Sequence, residues 1–558
     1  MSTGDVVSRV YSGFRGVDFR GDEINLVRSP DALNVWKDYR ETESIRTRPG
    51  MALKTAFPAT VYGVFFFKEL MLVHSGKNLY KVTSGGQKTI LFSDMNQSAS
   101  DSFIYEDVFY IKDGKNYLQY DGTTIKEVVG FIPTTSIARK PNGGGTIYED
   151  VNMLSDYRIN TFLADGTSVD FLLDSKSIDS GYAPIVKVNG AVVSNYTVDY
   201  ASGKIKFTSA PAAPKTDGQD NISVQFKKTI PGYRDSIQKC TLLQVFDNRV
   251  FFSGNPEHPN TVWHCSLNDP SYVSDLDYYR EGMDTAQVKG MVAGNNALWV
   301  FREPSDANTN VFYHTPTIDE EYGKIYPSSH SSVTTGCVGK AINFNDDIVF
   351  FSDRGMEGIS GDITTEQVVA HRSTLVDRKL IAEADYKNMI LEEWEGYLLV
   401  LIGDKVYLAD SRTAFTNADH IEYDWFYWQL EQPVTSAKVY EGILYLGTAD
   451  GVYTLTDNEA NVESYWVTPK DKFKHPHMLK TTNKRGCVAE AKGDVSVYAK
   501  TEKTDFQLIG TYEDVADYFV SRIKLKKFKD IQLKFHSKTR FSLETVTLEC
   551  FIGGYVKR

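Results

Sequence analysis

The sequence predicts an all-β chain built around a β-propeller, and three observations predict it. Tyr and Phe are abundant, at 33 and 31 of 558 residues, and Gly is common at 41. Aromatic and β-branched runs of strand length end at polar pairs, the signature of hairpins. One unit then recurs along the chain: an apolar run, a two-residue polar turn, a second apolar run, and a third strand after Gly or Asp.

The copies come in order. The first, "YGVFFFKELMLVHSGKNLYKV", turns at Lys68-Glu69, and the second, "SFIYEDVFYIKDGKNYLQYDG", at Glu106-Asp107. The third turns at Asp247-Asn248 and the fourth at Asn295-Asn296. The fifth, "AINFNDDIVFFSDRGMEGI", turns at Asp346-Asp347, the sixth at Glu395-Gly396 and the seventh at Glu441-Gly442. From the third copy on the spacing is about 46–51 residues, close to a four-stranded blade. Six to eight blades fit, and seven matches the copies counted. Aromatic runs such as Phe350-Phe351 should pack between neighbouring sheets.

The gap between the second and third turns is longer by about two blades. It predicts an inserted antiparallel β-domain over residues 148–228, bounded by the linker-like "RKPNGGGT" and "TIPGYRD". Inside it, Asn189-Gly190 marks a hairpin turn, Ala201-Ser202-Gly203 a second, and "ISVQFKK" a closing strand. Residues 56–147 and 229–460 carry the blades, 1–55 form an N-terminal arm, and 461–558 a β-sandwich-like C-terminal domain. Helix is expected only as a turn at Ser29-Pro30-Asp31 and a short stretch over 374–384.

Charge divides along the chain. The net charge is -12, but residues 465–558 hold 19 basic against 11 acidic groups, so the rest carries -20. An acidic body makes DNA wrapping by the main body an unsuitable role. In "SRIKLKKFKDIQLKFHSKTR", Arg522, Lys524, Lys526, Lys527 and Lys529 form a basic edge, with Ile523, Leu525 and Phe528 serving the opposite face. A solvated, aggregation-blocking face is one reading; a surface for an acidic protein partner or for phosphate is the other. No apolar run is long enough for a membrane span. The N-terminus lacks the apolar stretch of a signal peptide, so the expectation is synthesis in a cytoplasm, with any exit by another route. The five cysteines are odd in number and widely spaced, which predicts buried thiols and no disulfide framework.

Signatures of catalysis are missing. "NGGGT" lacks the Lys of a phosphate-binding loop, no Gly-x-Ser-x-Gly elbow occurs, and His475-Pro476-His477 has no third ligand near in sequence. Loop histidines His258 and His264 read as ordinary. The acidic loop with Asp275, Asp277, Glu281 and Asp284 is the densest place for a glycosidase carboxylate pair. "SDRGMEG" resembles the aspartate box of sialidase propellers but lacks its aromatic position and occurs once. The expectation is no enzyme, no cofactor and no metal.

The N-terminal text "YSGFRGVDFRGDEINLVRSPDALNVWKDYRETESIRTRPGM" is the most specific. It resembles the start of the tail-nozzle, or packaged-DNA stabilisation, proteins of short-tailed phages. "VFDNRVFFSGNPEHPNTVW", "GNNALWVFRE" and "YEGILYLGTADGVYTL" are similar to the same group. The resemblance implies a structural virion protein of the tail, assembled in the host cytoplasm as a homo-oligomer of six copies. It further implies contacts with portal or adaptor proteins and genomic DNA passing without sequence-specific binding until ejection. A receptor-binding or minor tail protein recognising host glycan, and a virion-associated glycosidase, are the alternatives. Arg15, Arg20, Arg28, Trp36, Arg46 and Arg48 are the expected partner contacts of the arm, with the five C-terminal cations beside them. An arm that merely completes the chain's own blade is the competing expectation.

Overall fold

The computed structural model describes residues 6–21, 25–39, 44–306, 309–320, 323–360, 368–417, 420–458 and 461–555. Seven four-stranded antiparallel sheets carry the body. Their first strands are Val61–Phe67, Asp101–Tyr105, Leu242–Phe246, Val288–Gly294, Ala341–Phe344, Ile390–Trp394 and Ser436–Tyr440. Each turns into its second strand through two residues, and all fourteen turn residues have φ between 44° and 76°. That is the type I′ geometry whose twist matches paired strands. The fifth turn is Asn345-Asp346, not Asp346-Asp347, because Phe344 pairs directly with Asp347. Asp347 instead points inward, where its carboxylate accepts Arg372 Nε at 2.9 Å and the Tyr423 hydroxyl at 2.7 Å.

A cycle of side-chain contacts joins the sheets. Phe65 meets Phe109 at 5.8 Å between ring centroids, Tyr117 meets Phe252 at 5.4 Å, and Phe251 meets Tyr326 at 5.4 Å. Phe301 meets Phe350 at 5.0 Å and Phe344 meets Tyr423 at 5.6 Å. Trp394 Nε1 donates to the Gly442 carbonyl at 3.1 Å. Tyr440 stacks on Phe66 at 4.0 Å, returning to the first sheet. The fold is a β-propeller, and the packing expected of Phe350 is observed. Burying such side chains is worth roughly 1.5–3 kcal/mol each, so these runs hold the ring while the turns set register.

The last sheet takes its fourth strand from the N-terminal region: Gly50–Ala56 pairs with Gly451–Thr456, Leu53 opposite Tyr453. This closure covers the edge of Gly451–Thr456 with a strand from the other end of the ring. The rest of the arm is not free either. Val6–Ser12 pairs with Phe541–Tyr555, Ala32–Leu33 with Ser464–Val467, and Ile45–Thr47 with Phe541–Tyr555. Arm and C-terminal region therefore form one eleven-stranded sheet system around Met478–Thr501. That long strand changes partners near Gly493, pairing first with Phe541–Tyr555 and then with Ile531–Ser537. The expected helical turn at Ser29 is a non-helical bend whose hydroxyl bonds the Val467 carbonyl at 2.7 Å. The stretch over 374–384 holds one helical turn, Asp377–Leu380.

The insertion begins earlier than the sequence suggested. Thr134–Arg139 already belongs to it, and Gly143, Gly144 and Gly145 form the turn to Thr146–Ile147 rather than a linker. Ile222–Lys227 is central, not closing: it lies between Tyr157–Phe162 and Ile185–Val188. Thr134–Arg139 runs parallel to Tyr157–Phe162, so the sheet is not wholly antiparallel. Asn189-Gly190 turns as expected, at φ 49° and 83°. Phe162, Phe171, Ile205, Val224 and Phe226 give the insertion a core of its own. Its ends meet where Lys228 N donates to Asp156 O at 2.8 Å. Replacing residues 134–147 and 157–227 each with a short Gly-Ser bridge should leave one cooperative melting transition for the ring, because closing a short loop costs little. Loss of that transition in calorimetry would make the insertion part of the ring core.

Chain direction fixes what lies on which face. The seven first turns fall on one face of the ring and the linkers between sheets on the other. The insertion replaces a linker and leaves from the linker face. The C-terminal region follows the third strand of the last sheet and leaves from the turn face.

Candidate functional site

The predicted contact residues separate into two groups. Those of the arm have partners within the chain, and Arg28, Trp36 and Arg48 are buried by them. The Asp424 carboxylate, 2% exposed, accepts Arg15 Nε at 2.8 Å and an Arg28 guanidinium nitrogen at 2.9 Å. Arg28 is itself buried, with Glu422 at 3.5 Å. Trp36 stacks on Trp394 at 5.3 Å and meets Trp428 edge-on at 5.6 Å. Arg48 is buried and donates to Asn34 Oδ1 at 3.0 Å and to the Gln429 carbonyl at 2.7 Å. Arg46 pairs with Asp38 and Asp457, each at 3.1 Å, and Arg20 with Asp18 at 2.8 Å. Gly16 shows how closely the arm is laid down: at φ 82°, a Cβ there would fall 1.9 Å from the Trp425 carbonyl oxygen. The signal for this role was the chain's own acidic strand, "HIEYDWFYWQ", whose Asp424 alternation alone does not reveal.

The second group stays outside. Arg522, Lys524, Lys526, Lys527 and Lys529 are all exposed, while Ile523 and Phe528 are buried. Only Lys526–Phe528 is strand, with Lys527 an αL bulge opposite Lys480-Thr481. An open groove of about 1080 Å³ runs along this segment. Its cations are Lys484, Arg485, Arg522, Lys524 and Lys526, and no carboxylate lines it. None of the five is ion-paired with a described residue. The floor is apolar, with Val488, Tyr518, Val520, Leu525 and Phe551. Sequence reasoning missed Lys484 and Arg485, because only the pairing of Met478–Thr501 with Tyr518–Ser521 brings them alongside.

The seven first turns of the ring carry Glu69, Glu106, Asp107, Asp247, Asp346, Glu395 and Glu441 against one cation, Lys68. Asp247 is engaged by Lys324 and the Tyr326 hydroxyl; the other six are exposed. Ile104, Val245 and Ile443 beside these turns are exposed apolar residues.

Most of the residues singled out for chemistry have partners within the chain. Glu281 and His314 are fully buried and paired at 2.9 Å, and the second Glu281 oxygen accepts the Ser328 hydroxyl at 2.6 Å. Asp284 pairs with buried Arg302. Asp275 accepts the Tyr233 hydroxyl at 2.9 Å. Burial raises the Asp277 carboxyl to about 6. All five cysteines are buried, and burial pushes each thiol up to about 12. Among the described residues no group of three or more His, Cys, Asp or Glu side chains is arranged to hold a metal. No described helix is long and apolar enough to cross a membrane.

Desolvation raises the carboxyl of Asp101, at the start of the second sheet's first strand, while the Lys340 and Lys438 charges pull it the other way.

His371 joins Asp377 at 2.6 Å and Glu357 at 3.2 Å, and its hydrogen bonds to these two carboxylates raise it to about 9. An unfolded His titrates near 6.5. The folded state thus binds the proton more tightly, and the stabilisation is full below about pH 6.5 and lost as pH rises toward 9. Denaturation midpoints should fall across that window, and His371→Gln should flatten the fall.

No family model matches the chain, and no curated protein matches it. Among solved structures it is similar to BamB from Moraxella catarrhalis, at 11% identity and TM-score 0.33, covering 73% of this chain and 97% of that one. It is also similar to the WD40 domain of Pan2 from Neurospora crassa, at 8% identity and TM-score 0.25, covering 75% and 97%. A computationally designed protein, Ika8, gives 13% identity, TM-score 0.32 and coverage of 73% and 99%. These likenesses concern the fold.

Proposed function

We propose that the chain is a structural subunit of a phage tail nozzle, which assembles with copies of itself, six in the nozzle family, to continue and close a DNA channel until ejection. One observation carries the reading. The N-terminal text that resembles the nozzle group is spent on mechanical coupling: it runs into the strand that closes the ring, and it docks on Asp424, Trp394 and the C-terminal sheet. A subunit that transmits force needs its ring and its appendage joined as one body. The DNA path in this reading runs along the axis about which the copies assemble. The acidic body would repel phosphate along such a path and let DNA slide.

The glycan-binding alternative gains nothing from aromatic platforms built on tryptophan, since all seven Trp side chains are buried. Cryo-electron microscopy of virions carrying the chain tests the proposal. A sixfold ring on the tail axis is the expected result, and density at a peripheral position would replace it with the receptor reading.

A further inference from the structure

We infer that the basic groove of the C-terminal domain is a docking site for a second copy of this chain, and that the copy enters it with the acidic turn rim of its propeller. The inference rests on the self-assembly proposed above and adds the two surfaces that meet.

Three observations carry it. The groove holds five cations and no carboxylate, and these cations have no ion-pair partner among the described residues. An open groove that leaves five like charges side by side gains most from an anionic visitor. The floor is apolar, with Tyr518 and Val520 exposed at 65% and 39%. A phosphate backbone alone would leave that floor uncovered; a peptide turn with an apolar neighbour would not.

The turn rim matches on both counts. Six of its acids are exposed, and Ile104 stands two residues before Glu106-Asp107 while Ile443 follows Glu441-Gly442 directly. The acids also sit where the backbone favours other residues. Type I′ turns prefer Asn, Asp or Gly followed by Gly, so Glu in the first place and Asp in the second depart from the preference. Glu106 and Asp107 hold φ 44° and 60° all the same. The C-terminal region that carries the groove leaves the ring from the face that carries these turns.

The experiment is sedimentation velocity on the full-length chain at low salt and at about 1 M salt, where charge is screened beyond about 3 Å. One variant reverses the groove (R522E, K524E, K526E). A second removes charge from the rim (E106N, D107G, E441N), and it keeps the I′ geometry, so its fold is protected. A third combines the groove reversal with E106K, D107K and E441K. Wild type should associate at low salt and dissociate as salt rises. The groove and rim variants should each weaken association on the order of tenfold or more, and the charge-swapped combination should recover it.

If wild type associates but neither variant weakens it, the docking inference is overturned and self-assembly stands. A wild type that stays monomeric throughout overturns both. If a labelled duplex binds wild type, is lost with the groove reversal and ignores the rim variant, while association is unchanged, the occupant is nucleic acid and the inference is wrong.

Discussion

A chain lacking residues 1–40 is expected not to fold. The truncation leaves the closing strand Gly50–Ala56 in place but removes Tyr11, Phe14, Val17, Val35 and Trp36, all buried at about 1% or less. At roughly 1.5–3 kcal/mol each, these five contribute on the order of 10 kcal/mol, as much as the whole net stability of a typical domain. Arg15 and Arg28 go with them, leaving Asp424 buried and without its two arginines. Circular dichroism melting and limited proteolysis should show no cooperative transition and rapid cleavage of residues 461–558. A truncated chain that melts like the full one would mean that the arm is an accessory, as its sequence alone allowed.

Asp424→Ala should cost about 3–5 kcal/mol, the usual penalty for leaving a buried ion pair without one partner. Arg28 would remain buried, with Glu422 as its nearest carboxylate. Denaturant titration reads the loss as a lower midpoint at unchanged slope. The double variant R28M/D424L should recover much of it, since removing both charges avoids the unpaired one. Equal losses in the single and double variants would show that Asp424 acts through packing and not through charge.

The ring was legible because its information is local. A two-residue turn with φ above zero, flanked by aromatic runs, writes itself into the sequence at each of seven places, and only the fifth was displaced by one residue. That slip has a cause: "FNDDI" offers two acidic pairings, and only the burial of Asp347 beside Arg372 and Tyr423 decides between them. The arm was illegible for the opposite reason. Arg28 and Asp424 are 396 residues apart, and nothing local tells an arginine that will be buried from one that will face solvent. Trp36 reads the same way whether it meets a partner or Trp394 of its own chain. The basic edge was visible as a run from Arg522 to Lys529, but Lys484 and Arg485 joined it through the pairing of distant strands. The insertion was found by its length and misjudged at its start, since a Gly-rich turn inside a domain and a Gly-rich linker outside one have the same composition.

Native mass spectrometry of the purified full-length chain at low salt tests the proposed self-assembly most directly. The expected result is a closed species at six times the 62.8 kDa protomer, giving way to single protomers as salt rises. A single protomer at every concentration and salt, with the fold intact, would contradict it.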